Sequence, residues 1–185
     1  MTHTADAGDR GHARIGAAAD RELRNVKGGY VSMKNEPKLE LLCEYWATLK
    51  EPVVVGEGPY GMRQIFDITG GEVRGERLRG RILPSGADWI LIGADGIGRI
   101  DVRGTIETHD GAFIYISYTG VLHMTDNVVQ ALGSGEFTEF GETYFYVNPR
   151  FETGDPRYAW LNGLFIINQG RVGPSRVEYR CFVIR

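Results

Sequence analysis

From Lys38 onward the chain alternates between apolar and polar positions. The runs LELLCEYWATL, MRQIFDITGG, RLRGRILPSG, DWILIGADG, RIDVRGTIETHDG, AFIYISYTG, TYFYVNPRF, WLNGLFIINQG and RVEYRCFVIR follow one another. Each has the length of a strand, is rich in β-branched and aromatic residues, and is bounded by Gly, Pro, Asp or Asn. Asp95-Gly96 and Asp110-Gly111 between alternating runs signal hairpins, and Pro84-Ser85-Gly86 and Asn168-Gln169-Gly170 carry turn chemistry as well. One stretch departs from the period of two. TDNVVQALGSGE places Val128, Val129 and Leu132 at helical spacing, with Asp126 to cap the start and Gly133 to end it, and so predicts one short helix over residues 126–133. The expected fold is all-β: a single antiparallel β-barrel of about 8–10 strands, because closure removes the exposed edges that so many strands would leave.

Residues 1–32 lack this pattern. They are polar, rich in Ala, Gly and Arg, and too poor in apolar residues to offset the entropy of ordering. A flexible N-terminal extension over 1–32 and a barrel domain over 33–185 are therefore expected. Apolar residues make up 42% of the chain and charged residues 24%, which suffices for an ordinary core without staples. The net charge of −3 supplies no general basic field, so no nucleic-acid or membrane partner is expected. No apolar run approaches the ~20 residues that span a bilayer, and the N-terminus has no secretory apolar stretch. The two cysteines, Cys43 and Cys181, make neither a disulfide framework nor a metal motif. Reduced thiols in a cytoplasmic protein are the expectation.

Val53-Val54-Val55 followed by Gly56-x-Gly58-x-x-Gly61 has the outline of a dinucleotide fingerprint. That fingerprint needs a helix after its glycines, because the pyrophosphate rests on the helix N-terminus. Here a β-rich run, Met62 to Thr69, follows, and the glycines read as a turn between two strands. His3, His12, His109 and His123 show no ligand spacing, and there is no phosphate loop and no nucleophile elbow. Neither a cofactor nor a metal is expected.

MKNEPKLELLCEYWATL, VGEGPYGMRQIFDITGGEVRGERLRGRILPSGADW, IDVRGT, DGAFIYI and PRFETGDPRYAWLNGLFIINQG together resemble the bacterial and fungal family known as domain of unknown function 3237, from about Met33 to the C-terminus. The resemblance implies an all-β barrel and supplies no substrate. In one respect the chain departs from it. Family members often carry an aromatic residue after the Arg of the block that matches IDVRGT, where this chain has Gly104. If that aromatic lines a cavity, the pocket here is roomier or differently shaped.

A closed barrel of this size can enclose a small-molecule cavity. In IDVRGTIET one face carries Asp101, Arg103, Thr105 and Glu107, and the other Ile100, Val102, Gly104 and Ile106. Charges outside is the ordinary arrangement. The functional alternative, favoured by the resemblance, turns the Asp101–Arg103 face into the lumen. Asp88 is either a turn-stabilising carboxylate or, with Trp89 as its apolar wall, a general base with a raised pKa. Tyr115 is a candidate donor to a ligand oxygen. Thr153, Trp160 and Asn162 flank the Gly154-Asp155-Pro156 turn and are candidates for orienting a polar ligand.

Two functional classes stay open, with a protein-interaction module as a third. In the first, a cofactor-independent isomerase, lyase (hydratase type) or cyclase uses Asp88 or Asp101 to move a proton and Arg103 to hold an oxyanion. In the second, a non-catalytic barrel carries a small organic metabolite. A poised ionisable group in the lumen distinguishes the first from the second. Assembly into a homo-oligomer is compatible with either.

Overall fold

The computed structural model describes residues 36–185. The expected extension over 1–32 lies outside the described residues. The elements are β1 (Leu39–Leu49), β2 (Val53–Gly58), β3 (Gly61–Arg74), β4 (Gly80–Asp88), β5 (Leu91–Ile92), β6 (Ile97–Thr108), β7 (Phe113–His123), α1 (Asp126–Ser134), β8 (Phe145–Glu152), a 3-10 turn (Ala159–Gly163), β9 (Ile166–Gly173) and β10 (Arg176–Ile184). Hydrogen bonding runs β1-β10-β9-β8-β7-β6-β4-β3, and β3 pairs back onto β1. The result is a closed antiparallel barrel of eight strands with one helix among the described residues, as the alternation predicts. No helix among the described residues is long and apolar enough to cross a membrane.

Strand β3 spans the whole wall. Its second half pairs with β1, from Leu49↔Ile68 to Glu44↔Arg74. Its first half pairs with β2, from Val53↔Ile65 to Gly58↔Gly61. Strand β2 thus prolongs the line of β1 past a break at residues 50–52. On the other side β5 prolongs β4, pairing with both β3 and β6. The glycines at 56–61 form the β2–β3 connection, as read from the sequence. At Gly61 an added Cβ would stand 2.4 Å from the Ile92 carbonyl oxygen, so the turn packs backbone against backbone.

The core is the inner face of the barrel. Along β6, Ile100, Val102 and Ile106 are buried, together with Gly104. They meet Tyr118, Ile116 and Ile114 of β7 in register. The space next to Gly104 is filled by Ile68 and Ile116, whose methyl carbons lie 3.4 and 3.6 Å from an added Cβ, so no wider cavity opens there.

Three local expectations are corrected. Helix α1 is capped by Thr125, whose hydroxyl accepts from the Val128 N–H, and ends at Gly135 in the left-handed conformation rather than at Gly133. Pro84-Ser85-Gly86 is not a turn but a bulge inside β4, between Ile82 and Gly86. Gly86 has φ +104°, a conformation open mainly to glycine, and an added Cβ there would collide with the Arg103 carbonyl. Asn168-Gln169-Gly170 is not a turn either. It runs through the middle of β9, where Asn168 pairs with Cys181 and Val147, and Gly170 is needed because the ring of Phe145 packs against its backbone.

Candidate functional site

The bulge in β4 sets the site. It takes up two extra residues, which keeps Asp88 on the same face as Ile82 and sets this last residue of the strand level with Phe66 of β3 and Val102 of β6. Antiparallel partners share a face, so the carboxyl group points inward with Val102. It lies in a mainly apolar cavity of about 50 Å³, whose walls include Phe66, Ile90, Ile100, Phe145 and Val172. Met124 and Leu132 complete the lining. Leu132 belongs to α1, which is anchored by the buried Val128 and Ala131.

Among the described residues Asp88 accepts one hydrogen bond, from the backbone N–H of Asp101 at 3.3 Å. Loss of hydration pushes its pKa up to about 7. The Asp101 N–H lowers it, the negative charge of Asp101 raises it further, and the positive charge of Arg63 lowers it. Arg63 itself donates to the carbonyl of Trp89.

Three buried phenols from three strands cluster in the interior: Tyr45 of β1, Tyr118 of β7 and Tyr179 of β10, and the charge of Asp88 reaches Tyr118 and Tyr179. Ring centroids are 5.0 Å apart for Tyr45–Tyr179 and 5.6 Å for Tyr118–Tyr179. Burial drives the pKa of Tyr118 upward, and the nearby Asp88 charge adds to it, while hydrogen bonds with Tyr179 and Tyr45 offset part of the rise. Burial likewise raises Tyr45 and Tyr179. All three are therefore neutral hydroxyls near pH 7, able to donate. None of the three is among the candidate residues read from the sequence.

The Asp101–Arg103 face does not line the lumen. Arg103 and Asp101 form an ion pair at 3.2 Å with side chains 51% and 43% exposed. The reason is the partner face, since Ile100, Val102 and Ile106 gain far more from burial than a charged pair does. Trp89 is not the wall of the Asp88 pocket, because it follows Asp88 by one residue. The guanidinium of Arg103 lies 5.4 Å from its ring centroid. Tyr115 is 40% exposed, beside Glu152 and Thr105 in register.

Thr153 and Asn162 hold each other. The Thr153 N–H donates to Asn162 Oδ1 and Asn162 Nδ2 donates to the Thr153 carbonyl, both at 3.0 Å, while the Thr153 hydroxyl donates to the Phe113 carbonyl at 2.7 Å. These bonds fasten the 153–162 loop. Trp160 packs on the core edge under the Arg77 guanidinium, 3.9 Å from the ring centroid. Of the sequence candidates, Asp88 alone is brought into the lumen. No three of His, Cys, Asp and Glu come together in a metal-binding group among the described residues. Cys43 and Cys181 face each other in register across β1 and β10, both buried and free.

A closed eight-stranded antiparallel barrel, mostly strands with one helix among the described residues, defines the class of protein. The chain belongs to the family described as protein of unknown function (DUF3237), whose sequence profile matches residues 37–184. A UPF0311 protein of Clostridium acetobutylicum is 35% identical over 139 residues, covering 74% of this chain and 87% of the relative. The crystal structure of a conserved protein of unknown function from Rhodopseudomonas palustris superposes with a TM-score of 0.76 at 29% identity, over 82% of this chain and 100% of that one. A fungal relative, the PR-toxin biosynthesis cluster protein 7 of Penicillium roqueforti, is 27% identical over 155 residues, covering 74% of this chain and 83% of the relative.

Proposed function

We propose that the protein is a cofactor-independent acid–base enzyme that moves a proton on a small organic metabolite held in the barrel lumen, in a reaction of the isomerase, lyase or cyclase type. The observation that carries this reading is Asp88: a carboxyl group turned into an apolar cavity with one backbone donor as its partner. A carrier needs only static complementarity, whereas a catalyst needs a group poised between its two protonation states.

The arrangement suits a carbon acid next to a carbonyl. The Asp88 carboxylate takes the proton, and the electron pair of the broken C–H bond moves onto the carbonyl oxygen. The neutral hydroxyl of Tyr118 donates to that oxygen as charge develops there, in a site where water does not compete. The Asp88 carboxylic acid then returns the proton, to a different carbon in an isomerisation or to a leaving oxygen in an elimination. Tyr118 takes the role that the sequence suggested for Arg103 and Tyr115. The open space of about 50 Å³ holds only a few waters, so admission of a metabolite requires lining side chains to move. The fungal relative named for a toxin biosynthesis cluster supports a secondary metabolite as the kind of molecule handled.

Proton exchange tests this without knowledge of the product. The protein is incubated in D₂O with cyclopentanone, cyclohexanone and acetophenone, and loss of the α-proton signals is followed by NMR. Protein-dependent exchange that Asp88→Asn abolishes is expected. Exchange that stays at the buffer rate, or that Asp88→Asn leaves unchanged, favours the carrier.

A further inference from the structure

Asn168 is fully buried, 0% exposed, and its register partners Cys181 and Val147 both belong to the interior. The amide therefore projects into the barrel, on the strand that supplies Val172 to the Asp88 cavity. Its Nδ2 donates to the Tyr45 hydroxyl at 2.6 Å. Its Oδ1 has no hydrogen-bond partner among the described residues. A buried amide oxygen without a partner costs free energy, and nothing in the fold among the described residues offsets it. Turning the amide over does not remove the problem. Oδ1 would then accept from Tyr45, and Nδ2 would be the group left without a partner.

We propose that Asn168 and Tyr45 form a second polar pole inside the barrel, which takes a hydroxyl group of the bound molecule. The ligand class is then a small ring-containing alcohol or phenol. A hydroxyl both donates and accepts, so it satisfies this pole in either orientation of the amide, whereas a ketone or ether oxygen satisfies only one. The ring follows from the surroundings. Tyr179 packs edge-on against Phe145 at 5.3 Å and lies 5.0 Å from Tyr45, so a chain of aromatic rings links Phe145, in the wall of the Asp88 cavity, to the Tyr45 hydroxyl that Asn168 binds. This deepens the proposed function and rests on its placing the ligand in the lumen: one pole, Asp88, moves the proton, and the other fixes which way round the molecule enters.

The test compares phenol with toluene, which has the same shape and lacks the hydroxyl. Binding to the full-length protein is followed by ¹⁵N-resolved NMR. Phenol is expected to bind about ten- to a hundredfold more tightly than toluene, and to shift the Asn168 side-chain amide signals where toluene does not. Asn168→Leu should erase the preference. Asn168→Asp, which keeps an oxygen acceptor, should retain it. Equal binding of the two probes, or unshifted Asn168 signals in the wild-type protein, overturns the pole, and the wild-type readout stands even if a variant fails to fold. The two proposals fail separately. Hydroxyl preference without α-proton exchange sinks the acid–base reading and keeps the pole, and exchange without hydroxyl preference does the reverse.

Discussion

Asp88 and Asp101 are the same residue on neighbouring strands, linked by a hydrogen bond from the backbone N–H of one to the carboxylate of the other, and they live in different solvents. Asp101 faces outward, ion-paired with Arg103 in water. Asp88 faces inward, where lost hydration pushes its pKa up to about 7. A surface ion pair is nearly neutral for stability. A desolvated carboxyl is a burden in its charged form, and a sequence that carries one against the rule of an apolar core has a use for it. The difference between the two is a matter of strand face: Asp88 is level with the inward Val102, whereas Asp101 precedes Val102 by one residue and points the other way.

The contrast is expected to be sharpest in proton transfer. Asp88→Asn should lower protein-dependent α-proton exchange by about 10²–10⁴-fold, while Asp101→Asn, which removes only a charge that tunes Asp88, should change it far less. Equal losses in the two variants would mean that neither carboxylate is special. The next effect separates the two faces of β7. Tyr118→Phe removes a hydroxyl donor beside Asp88 and should slow exchange by about 10²-fold or more. Tyr115→Phe, on the exposed face, should be silent in the same NMR assay.

Stability against pH reads the same carboxyl without any substrate. The folded pKa of Asp88, about 7, lies above the ordinary 3.8 of the unfolded chain. Between those values the folded state holds a proton that the unfolded state has released, so stability falls as pH rises through this window and stays lowered above it. Asp88→Asn removes the ionisation. Urea unfolding should find the variant close to wild type near pH 4 and about 2–4 kcal/mol more stable at about pH 8. A difference that does not change with pH would show a carboxyl that has kept its hydration.

The barrel was legible because its information is local: alternation, Asp-Gly turns and one stretch at helical period. The identity of the inner face was only half legible. In IDVRGTIET the apolar set Ile100, Val102 and Ile106 takes the core, as burial energetics alone require, and the charged set follows it outward. Asp88 was visible as a candidate, but its surroundings were not. Pro84-Ser85-Gly86 reads as a turn, and that reading hides that Ile82 and Asp88 belong to one strand and, six residues apart, to one face. The phenol cluster is assembled from β1, β7 and β10, and no spacing along the chain connects Tyr45, Tyr118 and Tyr179. Asn168 was hidden by its own neighbours, since Asn-Gln-Gly reads as a turn and only the Phe145 ring against Gly170 explains that glycine within a strand.

The smallest effect bears on the outer half of the contrast. Arg103 pairs with Asp101 at 3.2 Å in a half-exposed setting, and its guanidinium also covers the Trp89 ring. Exposed ion pairs contribute about 0–1 kcal/mol, and an exposed cation–π contact about 0.5–1 kcal/mol. The contributions overlap because one guanidinium makes both. Arg103→Ala should therefore destabilise by about 1 kcal/mol or less in urea unfolding, and the ion-pair share should shrink as salt is added, because screening acts on exposed charges. Arg103→Lys should recover the part due to charge and not the part due to the flat guanidinium lying over Trp89. α-Proton exchange should be unchanged in both variants. Breaking a buried pair from one side costs about 3–5 kcal/mol. A loss of that size in Arg103→Ala, insensitive to salt and accompanied by lost exchange, would place this pair in the lumen after all and put Asp101 beside Asp88 as a rival for the proton.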